Sequence, residues 1–253
     1  MKRKIIICIL AISLVLILAL GGCRAHMLSS TIRTSDNFVL GYHTRQVFTG
    51  CAYSPREYSV IEYFGDSTEL VIPLEYRGRP IVGFGVRRTD YDEFVFGNQV
   101  RKLTIQRNIG HIHYISTRGF EQMELAEVYV TSDNQAFKSI DGVLFTSTAS
   151  ILMFYPPAKV SETFVIPKTV TAVGFFTVAG SWASSEATMA SVMANRYLKN
   201  LYIPSTEFLS IRLDFERLPS LENIFVPYSL LNTYREFFED NADLVQSIYE
   251  TLI

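Results

Sequence analysis

Four histidines and three cysteines are the residues of this chain most apt to act as ligands, bases or nucleophiles. His111 and His113 form a His-x-His pair, which on a strand would share a face as two zinc ligands must. No Asp, Glu, Cys or His stands at a spacing that completes a tetrahedral site, and Ile112 marks the opposite face as apolar. The pair is therefore expected to face solvent. His43 and Cys51 are a thiol and an imidazole, yet nothing in the sequence orients them for nucleophilic attack. Asp133-Asn134 and Asp141-Gly142 offer oxygens, but the D-x-[DN]-x-[DN]-G order of a calcium loop is absent, so they read as turn formers. Gly83-Phe84-Gly85 lacks the third glycine and the following helix of a dinucleotide loop. These spacings predict no catalytic residue, no metal ion and no cofactor.

The remaining thiols are placed by the N-terminus. Lys2-Arg3-Lys4 is basic, residues 5–20 are almost unbroken apolar, and Leu20-Gly21-Gly22-Cys23 follows. A basic start, an apolar run and small residues before a cut make a secretory signal. With cysteine directly after Gly22, the segment resembles a bacterial lipoprotein signal with its lipobox. That resemblance implies that Cys23 takes a diacylglycerol and becomes the first residue of the mature chain. More than one acyl chain there gives a stable membrane anchor facing outside the cytoplasm, in the cell envelope. Cys8 leaves with the signal, so Cys51 stays alone and no intrachain disulfide is expected. Cys51 could be a buried core residue, a free thiol or an intermolecular partner.

Removing the three basic signal residues leaves 20 Lys and Arg against 25 Asp and Glu, a net charge of −5. The two signs are mixed along the chain, and no basic cluster suggests nucleic acid. No apolar run after Leu20 is long enough to span a bilayer. Phe, Tyr, Val and Ile with scattered Pro and Gly favour strands and turns over long helices.

A short pattern recurs, with apolar residues at its first, fourth and sixth places. It reads Val100-x-x-Leu103-x-Ile105, Leu125-x-x-Val128-x-Val130, Leu198-x-x-Leu201-x-Ile203 and Leu221-x-x-Ile224-x-Val226. Copies polar at the first place are Ser67-x-x-Leu70-x-Ile72 and Ser161-x-x-Phe164-x-Ile166. Pro73, Pro167, Pro204 and Pro227 close four of the six, where a missing donor turns the chain out of a strand. The sixth places lie 33, 25, 36, 37 and 23 residues apart. L-x-x-L-x-L at such intervals is the leucine-rich-repeat pattern, whose period is about 20–29 residues. One unit cannot bury its own apolar face, whereas stacked units can.

A second strand follows some copies. After Ile166 comes Pro167-Lys168-Thr169-Val170-Thr171-Ala172-Val173-Gly174, and Ile109 and Ile112 stand at the same offsets from Ile105. Pro80-Ile81-Val82-Gly83 is a delayed variant. The I-P-x-x-V-x-x-[IV]-G string resembles the BspA-type leucine-rich repeat of bacterial surface proteins. So does Ser139-Ile140-Asp141-Gly142-Val143-Leu144-Phe145 followed by Ile151-Leu152-Met153-Phe154-Tyr155-Pro156. The resemblance covers about residues 58–234. It implies a hairpin inserted between repeats and a role in adhesion.

The expected fold is mainly β: a leucine-rich-repeat solenoid with an inserted hairpin, a short inserted helix and a helical C-terminal cap. Residues 1–22 are the signal, 23–37 a lipidated tether, 38–228 the repeat domain and 229–253 the cap. Ser184-Ser185-Glu186 is a helix start before the Ala- and Met-rich residues 187–197. Leu230, Leu231, Tyr234, Phe237, Phe238, Leu244, Val245, Ile248 and Leu252 fit helical spacing. Tyr129, Tyr202 and Phe225 stand between the last two anchors of three copies, so alternation turns them away from the core. Such a row is a candidate stripe for a protein or glycan partner, and equally the product of β-propensity with both faces covered. The expected function is a lipid-anchored surface protein that binds a macromolecule. Its alternatives are a structural envelope scaffold and, from another class, a secreted hydrolase.

Overall fold

A computed structural model describes residues 30–42, 57–84, 95–112, 115, 117, 119–174 and 192–248. Cys23, His43, Cys51, Gly85 and His113 lie outside the described residues. The chain opens with β1 (Ser30–Arg33), β2 (Phe38–Tyr42) and β3 (Tyr58–Tyr63), paired antiparallel in that order. Residues 30–37, inside the stretch read as a tether, thus hold β1 and the turn into β2, because β1 finds a partner in β2. Next come β4 (Glu69–Val71), the hairpin of β5 (Glu75–Tyr76) and β6 (Arg79–Phe84), β7 (Val95–Phe96), β8 (Lys102–Ile105), β9 (His111–Ile112) and β10 (Glu127–Val130). The strands β11 (Phe137–Ile140), β12 (Val143–Thr146) and β13 (Ile151–Phe154) form an antiparallel meander. They are followed by β14 (Thr163–Val165), β15 (Ala172–Val173), β16 (Asn200–Tyr202) and β17 (Asn223–Pro227). The helix α1 (Leu231–Phe238) leads into β18 (Val245–Ile248). Mainly β, with one α-helix among the described residues, is the observed class.

The six sequence copies become strands in two parallel ladders. In the first, β4, β8 and β10 place Leu70, Leu103 and Val128 in one register. In the second, β14, β16, β17 and β18 place Phe164, Leu201, Ile224 and Val245 in one register. All seven are buried, as are the flanking anchors Val100, Ile105, Leu125, Leu198, Ile203 and Val226. Burying each such side chain stabilises by about 1.5–3 kcal/mol, which holds neighbouring units together. The expected stacking of Leu103, Val128, Leu201 and Ile224 is met pairwise, in two ladders rather than one.

Return strands make a second wall. β3, β6 and β9 are parallel, with Gly83 opposite His111 and Phe84 opposite Ile112. A Cβ on Gly83 would lie 2.7 Å from the His111 carbonyl oxygen, so this glycine is fixed by close strand approach. Further along, β13 and β15 pair in parallel. The inserted meander separates the two ladders. Asp141 and Gly142, both at positive φ, form its tight turn. It covers the open edge of β10: the Val128 N–H donates to the Gly142 carbonyl (2.9 Å) and the Val130 N–H to Ser139 Oγ (3.2 Å).

Two expected helices change. The expected inserted helix lies partly outside the described residues. Its described part, residues 192–197, is not helical: Met193 makes a parallel bridge to Tyr155, and the Tyr155 N–H donates to the Val192 carbonyl at 2.9 Å. The C-terminal cap is α1 and a 3₁₀ stretch at Glu239–Leu244, and then β18 joins β17. Val245 takes the core place beside Ile224, and backbone pairing along an open edge outweighs a helical apolar spacing.

Candidate binding surface

Outward positions of each ladder follow from strand alternation. On the second ladder one outward row is Thr163, Asn200 and Asn223, and the next is Val165, Tyr202, Phe225 and Gln246. Asn223 Nδ2 donates to Asn200 Oδ1 at 2.9 Å, and Asn200 Nδ2 reaches Thr163 Oγ1 at 3.5 Å. The Tyr202 and Phe225 rings stack with centroids 4.4 Å apart and planes 20° apart. Val165, beside Tyr202, is 53% exposed, while both rings are half-buried. At the rim Lys199 Nζ lies 2.8 Å from Glu162 Oε1. The hydrogen bond and charge of Glu162 hold the Lys199 ammonium above its ordinary pKa.

The first ladder presents different chemistry. Its outward rows are Glu69, Lys102 and Glu127, then Val71, Thr104 and Tyr129. Lys102 Nζ is 3.8 Å from Glu127 Oε1 and 5.2 Å from the centroid of the Tyr129 ring. The structure therefore brings two of the three expected stripe residues together, Tyr202 and Phe225. It places Tyr129, 43% exposed, in the other ladder beyond the meander.

Catalytic geometry does not assemble among the described residues. Among the described residues no three His, Cys, Asp or Glu side chains group as metal ligands. His111 is exposed on β9. Asp141 is an exposed turn residue paired with Lys159 Nζ at 3.0 Å. Two tyrosines are buried instead. Burial pushes the Tyr155 phenol well above its ordinary pKa, with the Asp141 charge adding to the effect. Burial likewise raises Tyr234, whose hydroxyl accepts from the Leu209 N–H (2.9 Å) and donates to the Leu209 carbonyl (3.2 Å).

Residues that the sequence reading missed hold the surface in place. Asn134 is buried; its Nδ2 donates to the Gln106 and Ile109 carbonyls (2.7 and 2.9 Å), and its Oδ1 accepts from the Ala136 and Phe137 N–H groups. Asn195 repeats this, donating to the Pro156, Pro157 and Lys159 carbonyls and accepting from the Tyr197 and Leu198 N–H groups. Each asparagine brackets its own turn to a preceding segment. The signal was the pair Asn134-x-x-Phe137 and Asn195-x-x-Leu198, with an apolar anchor three residues on. Two arginines tie the ladders across the meander. Arg196 donates to the Glu121 carbonyl and, at 2.9 Å, to that of Met123, and Arg217 Nη1 donates to Thr117 Oγ1 at 2.7 Å.

No protein-family model and no curated protein matches the chain. Among solved structures it is similar to a leucine-rich repeat protein from Eubacterium ventriosum, at 13% identity and a TM-score of 0.35, over 78% of this chain and 72% of that one. A second is the pneumococcal vaccine antigen PcpA, at 13% identity and a TM-score of 0.26, over 80% of this chain and 68% of that one. A third is a leucine-rich cell surface protein from Faecalibacterium prausnitzii, at 12% identity and a TM-score of 0.27, over 87% of this chain and 95% of that one. Two of these three are leucine-rich proteins of bacteria, at identities and TM-scores that carry no functional argument.

Proposed function

We propose that the chain is a lipid-anchored protein of the bacterial envelope, a leucine-rich-repeat solenoid that binds a partner protein through the outward face of its second ladder. The carrying observation is the row Val165, Tyr202 and Phe225, which sets apolar surface beside a neutral amide row on rigid parallel strands. Aromatic residues ringed by polar groups are the usual centre of a protein interface. A sugar would need a free ring face; stacking takes one face of each ring, and Val165 and Gln246 stand on their far sides in the same row, so the chemistry favours a protein over a glycan. The lipobox at Cys23 supports the anchor, which would hold this face outside the cytoplasm.

Two measurements test the reading. Metabolic labelling with a fatty-acid analogue should mark the wild type and leave Cys23→Ser unmarked; equal labelling of both removes the anchor. The soluble domain beginning at Arg24 is then offered to immobilised matrix proteins and to a glycan array. The folded Tyr202→Ala/Phe225→Ala variant should lose its protein partner, by about 2 kcal/mol or more for the better anchor. Tyr129→Ala, on the other ladder, should bind as the wild type does. Undiminished capture by the folded double variant, or capture confined to glycans, rejects the proposed face.

A further inference from the structure

A ladder has end strands, and an end strand turns a row of backbone N–H and carbonyl groups away from its neighbour. β4 opens the first ladder and β14 the second. Beside β4 the Thr68 carbonyl accepts from the Arg101 N–H (2.7 Å), and the Ile72 N–H donates to the Thr104 carbonyl (3.1 Å). Alternate residues therefore face β8, and Glu69 and Val71 face away. Beside β14 the Glu162 carbonyl accepts from the Asn200 N–H (2.8 Å), and the Ile166 N–H donates to the Tyr202 carbonyl (2.9 Å). Thr163 and Val165 face away in the same manner. Val71 and Val165 are 49% and 53% exposed, so both edges meet solvent.

A serine hydroxyl meets the first outward residue of each edge. Ser67 Oγ donates to the Glu69 carbonyl (2.5 Å) and accepts from the Glu69 N–H (3.2 Å). Ser161 Oγ donates to the Thr163 carbonyl at 2.6 Å. Each serine holds the first place of its copy, two residues before the carbonyl that it takes. The copies that stack on an earlier strand hold Val100, Leu125, Leu198 and Leu221 at that place, all buried. The closing ends are met by other groups. The meander covers β10, as described above. On β18 the Val245 N–H donates to the Ala242 carbonyl, and the Val245 carbonyl accepts from Arg235 Nη2 (3.3 Å).

We propose that Ser67 and Ser161 are edge guards, which keep a second copy of this chain from adding a strand to β4 or β14. A strand that pairs along an edge uses successive outward residues, each offering an N–H and a carbonyl. β4 and β14 have two apiece. The hydroxyl takes the carbonyl of the first and leaves Val71 or Val165 to pair alone. Short and occupied edges are how natural sheets avoid joining edge to edge. Another copy is the strand best matched to such an edge, because its repeats carry the same rungs. The outward face of the second ladder is a different surface, so this inference stands without it.

The test compares the chain from Arg24 onward with its Ser67→Ala/Ser161→Ala variant, by sedimentation velocity over a wide range of concentration. The wild type should remain monomeric. The folded variant should self-associate at least about tenfold more tightly. Hydrogen exchange at its Val71 and Val165 amides should slow as concentration rises. Ser67→Thr/Ser161→Thr keeps both hydroxyls and should behave as the wild type does. So should Ser205→Ala, which removes a hydroxyl that accepts from the Glu207 N–H within a turn. If the double variant unfolds, each single variant reads its own edge through Val71 or Val165. A folded variant as monomeric as the wild type overturns the proposal. So does association that leaves both amides unchanged, or that the threonine pair shows equally. A wild type that already associates with slowed exchange at either amide overturns it as well.

Discussion

Leu103 and Leu201 hold the same place in two ladders whose interiors match and whose exteriors do not. Inward, both ladders are aliphatic rows apart from Phe164 at one end of the second. Outward, the first alternates Glu69, Lys102 and Glu127, and its exposed Tyr129 lies under a cation. The second carries amides and stacked rings with no charge in either row. The inward row sets the architecture, and the outward row sets what each wall can meet. A charged wall weakens its contacts as salt rises, and a neutral one does not.

The largest expected effect tests the shared interior. Leu103→Ala and Leu201→Ala should each cost about 2–5 kcal/mol, read as a fall in urea midpoint. Matching losses support equivalent ladders; a loss confined to one breaks the comparison. The brackets come next. Asn134→Ala and Asn195→Ala each leave buried carbonyls or N–H groups unpaired and should cost about 1–3 kcal/mol. Tyr234→Phe belongs to the same class, because it releases both backbone groups of Leu209.

That tyrosine also gives the second ladder a pH signature. Its folded pKa is raised above the ordinary 10.0, so its contribution is complete below pH 10 and is lost as pH climbs through the folded value. Melting temperature should hold level from neutral pH to about 9 and then fall, more gently in Tyr234→Phe. A profile identical in wild type and variant would detach Tyr234 from the alkaline loss.

Smaller effects separate the exteriors. Tyr202→Ala removes one half of a stacked pair and should cost about 0.5–1.5 kcal/mol beyond its lost area, equally in low and high salt. Lys102→Ala should cost about 0.2–1 kcal/mol, with the difference shrinking as salt is added. A salt-independent Lys102 effect would make the two exteriors alike.

The inward rows were legible because an anchor at every fourth and sixth place has one reading, a strand that stacks on its own copies. Leu103, Val128, Leu201 and Ile224 are all buried, as expected. The signal for β18 was ambiguous. Leu244, Val245 and Ile248 satisfy helical spacing, and only the vacant edge of β17 turns Val245 into a rung. Asn134 reads as a turn residue because its Ala136 and Phe137 bonds are local, whereas its Gln106 and Ile109 bonds cross from another unit. For the surface, alternation placed Tyr202 and Phe225 outward correctly. It could not foresee that they would stack on each other, whereas the inserted hairpin between the copies already set Tyr129 apart.

The meander that covers the edge of β10 also gives the chain a natural order of assembly. Its hydrogen bonds to β10 close the first ladder with residues no later than Gly142, before any strand of the second has left the site of synthesis. Chains generally fold in such units as they emerge, the N-terminal unit first. The first stack then has its β10 edge covered by its own chain, and no later strand is needed there. A nascent chain halted midway would present a finished face to its surroundings, where an uninterrupted ladder would still be open to pairing with another chain.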